Sequence, residues 1–387
     1  MFPLPRTLFT PEHEAFREQV RRFCEREILP HHAAWEDAHR VPRELWEKAG
    51  DNGMLCCWLP EEHGGPGGDL LFDFIVSEEL GRIGATGPGF SLHSVIVTPY
   101  ILAYGSPSLK GRLLRDMASG RRIAAIAMTE PGTGSDLGAL QTTARRVGEG
   151  WVINGQKTFI TNGQNADVVV VACKTEPDLG PRGVSLFAVT AEARGFAKGR
   201  TLKKIGQLGQ DTAELFFDDV VVPADCLLGT ENQGFRYLME NLVQERLLVS
   251  VQCQARAEAA FDTTVAYVRE RKAFRQRLAD FQNTRFKLAE LFAALQAGRA
   301  YCDRLVELHL AGRLDAVGAS SGKLWHSELL GRVADECLQL HGGYGYMREY
   351  DIARAYVDAR IERIYAGTSE IMKEIIARSV CDDHGKT

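Results

Sequence analysis

The sequence predicts an α+β protein, mainly α, built in three parts. These are an N-terminal helical domain (1–122), a middle β domain of barrel or sandwich type (123–232) and a C-terminal four-helix bundle (233–387). Three observations predict it. At 387 residues the chain exceeds what one ordinary core needs. Its texture turns from helical to strand-like near Arg121 and back to helical at Gln233. The order helices, strands, helices is not the alternating βα pattern of a doubly wound parallel sheet.

Thr10 is a cap and Pro11 suits a first helical position. From there PEHEAFREQVRRFCEREILPHHAAW places Phe16, Val20, Phe23 and Ile28 at roughly helical spacing. PRELWEKAGDNGM reads as a second helix, stopped by Gly53, and EEHGGPGGD as a loop. LLFDFIVSEELGRIG and the stretch from Ser91 to Tyr104 continue the helical reading. Next come IAAIAM, GWVINGQKTFITNG, ADVVVVACKT, GVSLFAVT and ELFFDDVVVP, short β-rich runs punctuated by Gly, Asn or Pro. Gly155, Gly163 and Gly183 suit tight turns between them. The last part holds four stretches of helical length, 234–272, 281–311, 312–341 and 349–379, and short loops between long helices predict a bundle.

The composition is globular, 45% hydrophobic and 25% charged, with net charge −5 and no long basic run. Nucleic acid and anionic membrane surfaces are therefore not expected as partners. No apolar run approaches the roughly 20 residues that span a bilayer. The first residues, MFPLPRTLFTPEHEAF, lack both a signal peptide's apolar core and an Arg/Ser-rich transit pattern. A bacterial cytoplasm is the expected compartment, with a mitochondrial matrix also consistent. Nine cysteines, none in a CxxC pair, fit reduced thiols. No histidine pair has metal spacing, so no metal is expected, and the five tryptophans are expected in cores.

One helical stretch poses a chemical question. In LMENLVQERLLVSVQ, Leu238 to Gln252, Glu245 and Arg246 stand together. The three- and four-residue neighbours of Glu245 are Asn241, Leu242, Leu248 and Val249; those of Arg246 are Leu242, Val243, Val249 and Ser250. Both charges point where the helix is mostly apolar.

Three dense motifs lie elsewhere. TEPGTGSDLG (129–138) comes after an apolar strand, but Leu137 stands where a dinucleotide-binding GxGxxG needs its third glycine. The next stretch, ALQTTARRVGEGWVING, reads as a hairpin and not a helix. In QLHGGYGYMREYDIARAYVDARIERIYAGTSE (339–370), Gly342, Gly343 and Gly345 allow close backbone approach. RERKAFRQRLADFQ (269–282) is a basic turn, either a solvated cap or an Arg held for phosphate.

Taken in order, TEPGTGSD, KTFITNG, RKAF, QLHGGYGY and YAGTSEIM resemble the acyl-CoA dehydrogenase family over nearly the whole chain. The resemblance implies FAD, a homotetramer arranged as a dimer of dimers, and an electron-transferring flavoprotein as partner. It implies that Met128, Thr129, Gly134 and Ser135 hold the flavin ring system, with Phe159 and Thr161 beside it. Arg271 and Phe274 would reach into a neighbouring subunit toward the pyrophosphate and adenine end, with Gln339, Gly342 and Gly343 as a second contact there. Thr368 and Glu370 match the last flavin contacts. Ser135, Arg246, Tyr365 and Gly367 are expected at the substrate.

One departure matters. Most of the family carries its catalytic glutamate in Tyr-Glu-Gly-Thr, whereas here the string is Tyr365-Ala366-Gly367-Thr368. The long-chain and isovaleryl branches resemble this chain in having a small residue there and a Glu-Arg pair on the first long helix of the C-terminal domain. The resemblance thus implies that Glu245 removes the α-proton of a fatty acyl-CoA, long-chain or branched, while Ala366 offers only its amide to the thioester carbonyl. The β-hydrogen would leave as hydride to the flavin, giving the trans-2-enoyl-CoA. Leu92, His93, Val97 and Leu238 are candidate pocket residues. A carrier-protein thioester as substrate, flavin oxidase or monooxygenase chemistry, and a non-catalytic flavin-binding role are the alternatives.

Overall fold

A computed structural model describes residues 5–382. The N-terminal part contains α1 (Pro11–Phe23), α2 (His32–Ala38), α3 (Arg43–Asp51), α4 (Leu70–Arg82), α5 (Thr98–Tyr104) and α6 (Pro107–Ala118). Thr10 caps α1, its hydroxyl accepting from the His13 N–H. The expected continuous helix from Pro11 to Trp35 is interrupted. A wide π-turn over Cys24–Ile28 leads to a bend, and α2 restarts at His32, so the chain turns before its apolar stripe drifts into solvent. Phe23, Ile28, Trp46 and Ile75 meet in the core of these helices.

The strands are β1 (Ala124–Ala127), β2 (Thr143–Val147), β3 (Gly150–Thr161), β4 (Val168–Lys174), β5 (Val184–Thr190), β6 (Phe196–Thr201), β7 (Thr212–Pro223) and β8 (Leu227–Leu228). They form one eight-stranded sheet in the order β6-β7-β3-β2-β4-β5-β8, with β1 parallel to β4. The expected hairpin after the TEPGTGSDLG loop is β2–β3, turned at Gly148, whose φ is 58°. Successive side chains of a strand alternate faces, and β4 shows the consequence. Val168, Val170 and Ala172 pack with Tyr100, Leu113 and Met117 of the helices, whereas Val169, Val171 and Cys173 pack with Trp151, Phe187 and Phe217 of the sheet. With both faces covered, β4 is buried at every residue and reads as an apolar run, VVVVAC, ended by Lys174.

The C-terminal part consists of α7 (Gly234–Glu270), a small hairpin of β9 (Lys272–Ala273) and β10 (Gln276–Arg277), then α8 (Gln282–Leu310), α9 (Ala316–His341), α10 (Asp351–Ala359) and α11 (Ser369–Cys381). At ~1.5 Å per residue, α7 runs about 55 Å; it packs along α9 and α8 and against α4 of the N-terminal part. The fourth expected helix, 349–379, is divided. Ala366 and Gly367 take φ of 55° and 94°, which no right-handed helix accommodates, and Thr368 caps a new helix by accepting from the Ile371 N–H at 3.3 Å. Trp46 and Trp151 are core residues as expected, but Trp325 lies exposed on α9.

A buried ion cluster joins the two helical parts. Arg299 of α8 donates to both oxygens of Glu258 on α7, at 2.8 Å each, and to Glu78 of α4 at 2.9 Å. Glu78 also accepts from Arg17 at 2.7 Å and from Arg6, which pairs with Asp303. Burial works to push the Glu78 carboxyl up, but Arg6, Arg299 and Arg17 together hold it well below the usual carboxylate range.

Candidate active site

Glu245 lies about a third of the way along α7, 9% exposed, and its Oε2 has no hydrogen-bond partner among the described residues. Burial pushes its carboxyl up to about 7, against the opposing pull of Arg246 and Lys323. Helical periodicity puts Val249, Cys253 and Arg256 on the same stripe as Glu245. That stripe faces the segment after α10. Val249 shares an apolar cluster with Tyr365 and Ala366, and Cys253 and Arg256 both reach the fully buried carboxylate of Glu362. From the other side comes Tyr100 of α5, whose buried hydroxyl also lacks a partner among the described residues. Burial, and then the charge of Glu245, push that phenol well above its ordinary value, so it stays protonated.

The Tyr365–Thr368 loop is held by two buried cations. Arg246 donates from Nε to the Ala366 carbonyl at 3.3 Å and from Nη1 to the Ser320 hydroxyl at 3.2 Å. Lys323 of α9 donates to the Gly367 carbonyl at 2.7 Å. The two peptide planes on either side of Gly367 are thereby fixed, directly after a positive φ at a non-glycine residue, Ala366. Such backbone costs about 1–2 kcal/mol and persists where the surroundings over-determine it. A side chain at Gly367 would lie 2.7 Å from the Met372 methyl, so the loop is packed from below as well.

The second group of expected residues lies on the sheet. The loop after β1 carries Met128, Thr129, Gly134 and Ser135. It is anchored by Lys157 of β3, whose buried ammonium donates to the Met128 carbonyl at 3.0 Å and to Glu130 at 2.8 Å. Glu130 in turn accepts from the Gln141 and Thr142 amides. Gly132 and Gly134 face open space. The register of β3 against β7 slips between Lys157 and Ile160, and this bulge turns Phe159 outward, φ 60° and 67% exposed, with Thr161 half-buried beyond it.

The third group lies at the far end of α7. Arg271, Gln339, Gly342 and Gly343 line one open depression of about 540 Å³ together with Tyr267 and Tyr344. The Arg271 guanidinium sits over the Tyr344 ring at 5.3 Å. Phe274 and Arg275 form the two-residue turn of the β9–β10 hairpin, both at positive φ, and Phe274 stands 91% exposed. No residue of the Met128–Ser135 loop lines this depression. Within one chain the two groups are separate surfaces. Thr368 and Glu370 open α11, Thr368 as its cap and Glu370 exposed in its first turn.

Of the candidate pocket residues, His93 is a structural pin, one ring nitrogen on the Met117 carbonyl and the other on the Ala124 amide. Leu92, Val97 and Leu238 pack in one core with Tyr100. Sequence reasoning missed Tyr100, Lys323, Arg256 and Glu362. Only Lys323 carried a local signal, since its helical neighbours Ala319, Ser320 and Ser327 are small and buried. Among the described residues no group of three or more His, Cys, Asp or Glu would hold a metal ion, and no helix is long and apolar enough to cross a membrane.

Family models match along the chain: acyl-CoA dehydrogenase N-terminal domain over residues 10–121, middle domain over 125–220 and C-terminal domain over 232–381. The long-chain specific acyl-CoA dehydrogenase, mitochondrial, of Sus scrofa is 52% identical over 380 residues, covering 98% of this chain and 88% of the relative. The crystal structure of an acyl-CoA dehydrogenase from Geobacillus kaustophilus superposes with a TM-score of 0.96 at 48% identity, over 97% of this chain and all of the other. A glutaryl-CoA dehydrogenase from Mycobacterium smegmatis, solved in complex with FADH2, superposes at 0.90 with 28% identity, over 97% of this chain and 95% of its own. The chain belongs to the acyl-CoA dehydrogenase family.

Proposed function

We propose that this chain dehydrogenates a fatty acyl-CoA, long-chain or branched, to the trans-2-enoyl-CoA, with Glu245 as the base. The observation that carries this reading is a buried carboxylate oxygen without a partner among the described residues, on the helix stripe that faces the Ala366 loop. A carboxyl that titrates at about 7 is half ionised near neutrality, where a general base combines availability with proton affinity. Tyr100, Lys323 and the apolar walls keep water from the carboxylate. Ala366 has no side chain to take a proton. Its amide is the proposed donor to the thioester oxygen, whose growing negative charge a main-chain N–H stabilises as well as a side chain does. Arg246 serves by holding the loop, since its donors go to Ala366 and Ser320.

The residues fit FAD. Phe159 presents an exposed aromatic face beside the open glycines of the Met128–Ser135 loop, which suits a flat ring system. Arg271 with the open glycines 342 and 343 suits a pyrophosphate. When bound, the flavin supplies the two-electron acceptor for the β-hydrogen. The separation of these two surfaces, and the exposed Phe274 between them in sequence, support a homotetramer in which a second copy completes each flavin site. An electron-transferring flavoprotein is the proposed electron acceptor. Nine unpaired thiols support a reducing compartment, proposed as the bacterial cytoplasm. The element breaks between Ala118 and Ala124 and between Leu228 and Gly234 support domain boundaries at 122/123 and 232/233.

The test is anaerobic titration of the purified flavoprotein with acyl thioesters of graded length and branching, on CoA and on a carrier protein. Bleaching by long or branched acyl-CoA is expected. Bleaching by carrier-protein thioesters alone, or a retained flavin that no thioester bleaches, would overturn the proposal.

A further inference from the structure

We propose that Lys323 is a positioning residue for α-proton removal: from beneath the Tyr365–Thr368 loop its buried ammonium holds the Gly367 carbonyl beside Ala366, where the Glu245 stripe of α7 packs. This rests on the reading of Glu245 as base and of the Ala366 amide as oxyanion donor. The geometry is specific. Lys323 is fully buried in the first third of α9, near Ala319, Ser320, His326 and Ser327 in the helix, and its one polar contact to the loop is the 2.7 Å bond to Gly367. A buried ammonium is expensive without compensation, and no close ion pair of Lys323 is found among the described residues. Its ammonium is instead met by the Gly367 carbonyl and, at longer range, by the buried carboxylate of Glu362 and the partly exposed one of Glu328; burial and Arg246 nevertheless push its pKa down, and it acts in turn on Glu245. Removing so costly a group ought to relieve the fold; its presence under this loop calls for another reason.

The charges around Glu245 come from three elements. Arg246 is on its own helix, Lys323 reaches from α9, and Tyr100 of α5 contributes a neutral phenol. Arg246 and Lys323 both favour the carboxylate, and they do so while gripping consecutive carbonyls of the loop that carries Ala366. One pair of cations therefore serves both partners in the step. The α-carbon's C–H bond breaks, its proton passes to the Glu245 carboxylate, and the electron pair moves onto the thioester oxygen at the Ala366 amide. Nothing is oxidised in this step.

The step is read alone with a 3-thia acyl-CoA, which retains an acidic α-proton but has sulfur where the β-hydrogens would be. Its enolate is followed as a long-wavelength absorption band against pH in the flavin-loaded enzyme. In Lys323→Met the midpoint of that band is expected to move about one pH unit to the alkaline side, a tenfold weaker proton removal at fixed pH. Lys323→Gln keeps a donor for Gly367 without the charge, so its midpoint should move likewise while flavin content stays within about twofold. If Met fails to fold, the Gln variant decides alone. An unchanged midpoint in the folded variants overturns the inference. Glu245→Gln is the control on the underlying reading: a band that persists in it removes Glu245 as the base, whatever Lys323 does.

Discussion

Replacing Glu245 by Gln changes one oxygen to an amide nitrogen and removes the ability to take a proton. The pocket is expected to keep its shape, because the side chain is buried, its helical neighbours Leu242, Leu248 and Val249 are buried too, and one of its oxygens is bonded to nothing in the described chain. The change has two measurable consequences. General-base catalysis contributes roughly 10²–10⁴-fold, so flavin reduction by an acyl-CoA should slow by about that factor, some 3–5 kcal/mol at ~1.36 kcal/mol per decade. Stability should respond to pH as well. The carboxyl rises from 4.5 to about 7 on folding, which corresponds to roughly 3 kcal/mol. The folded state binds this proton more tightly than the unfolded one, so stability falls as pH rises from ~4.5 to ~7 and levels off above. The Gln variant has no such proton. Its stability relative to the wild type should therefore improve by about 2–3 kcal/mol between pH 4 and pH 8. Stopped-flow bleaching under anaerobic conditions measures the first effect, and paired urea unfolding curves at the two pH values measure the second. A variant that bleaches within tenfold of the wild type would refute the assignment of the base. Parallel pH dependences of unfolding would refute the account of the environment of Glu245.

Three further changes probe the same logic. Ala366→Gly should leave turnover within about threefold and stability within ~1 kcal/mol, because glycine accepts φ 55° without strain but loses more entropy on folding; steady-state rates and melting curves check it, and a large loss of turnover would mean that Ala366 contributes more than its amide. Arg299→Met takes from Glu258 the guanidinium that binds both its oxygens and from Glu78 one of three arginines, and should destabilise the protein by about 3–5 kcal/mol, read by denaturant unfolding with flavin content normalised. Phe274→Asp alters a ring that touches little of its own chain, so the monomer fold should change by less than ~0.5 kcal/mol. Sedimentation and the flavin-to-protein absorbance ratio should nevertheless show weakened association and lost cofactor; unchanged assembly would argue against a second copy at the Arg271 depression.

Much of the candidate site was readable before folding was considered. Glu245 declared itself by standing on an apolar stretch of helix, and Ala366 by occupying a position where a carboxylate is ordinarily found. The TEPGTGSD loop and the RKAF turn were legible as strings because glycine and arginine carry their chemistry in their identity. The breaks in helices were less legible. PEHEAFREQVRRFCEREILPHHAAW keeps helical spacing across a place where the chain bends, and the 349–379 stretch keeps it across the Ala366 turn. In both, local periodicity persists while packing against neighbouring elements dictates a turn.

The sequence by itself determined the three-part order of elements, the block of short strands in the middle, and the residue types at each suspected contact. Those are matters of period, capping and turn chemistry, which act over a few residues. Only the tertiary structure decided which charges answer which. Arg6 pairs with Asp303 across 297 residues, and Lys323 finds the Gly367 carbonyl across 44. No local pattern encodes such a meeting, because a buried charge is stabilised by whatever polar atom the packed helices bring within about 3 Å.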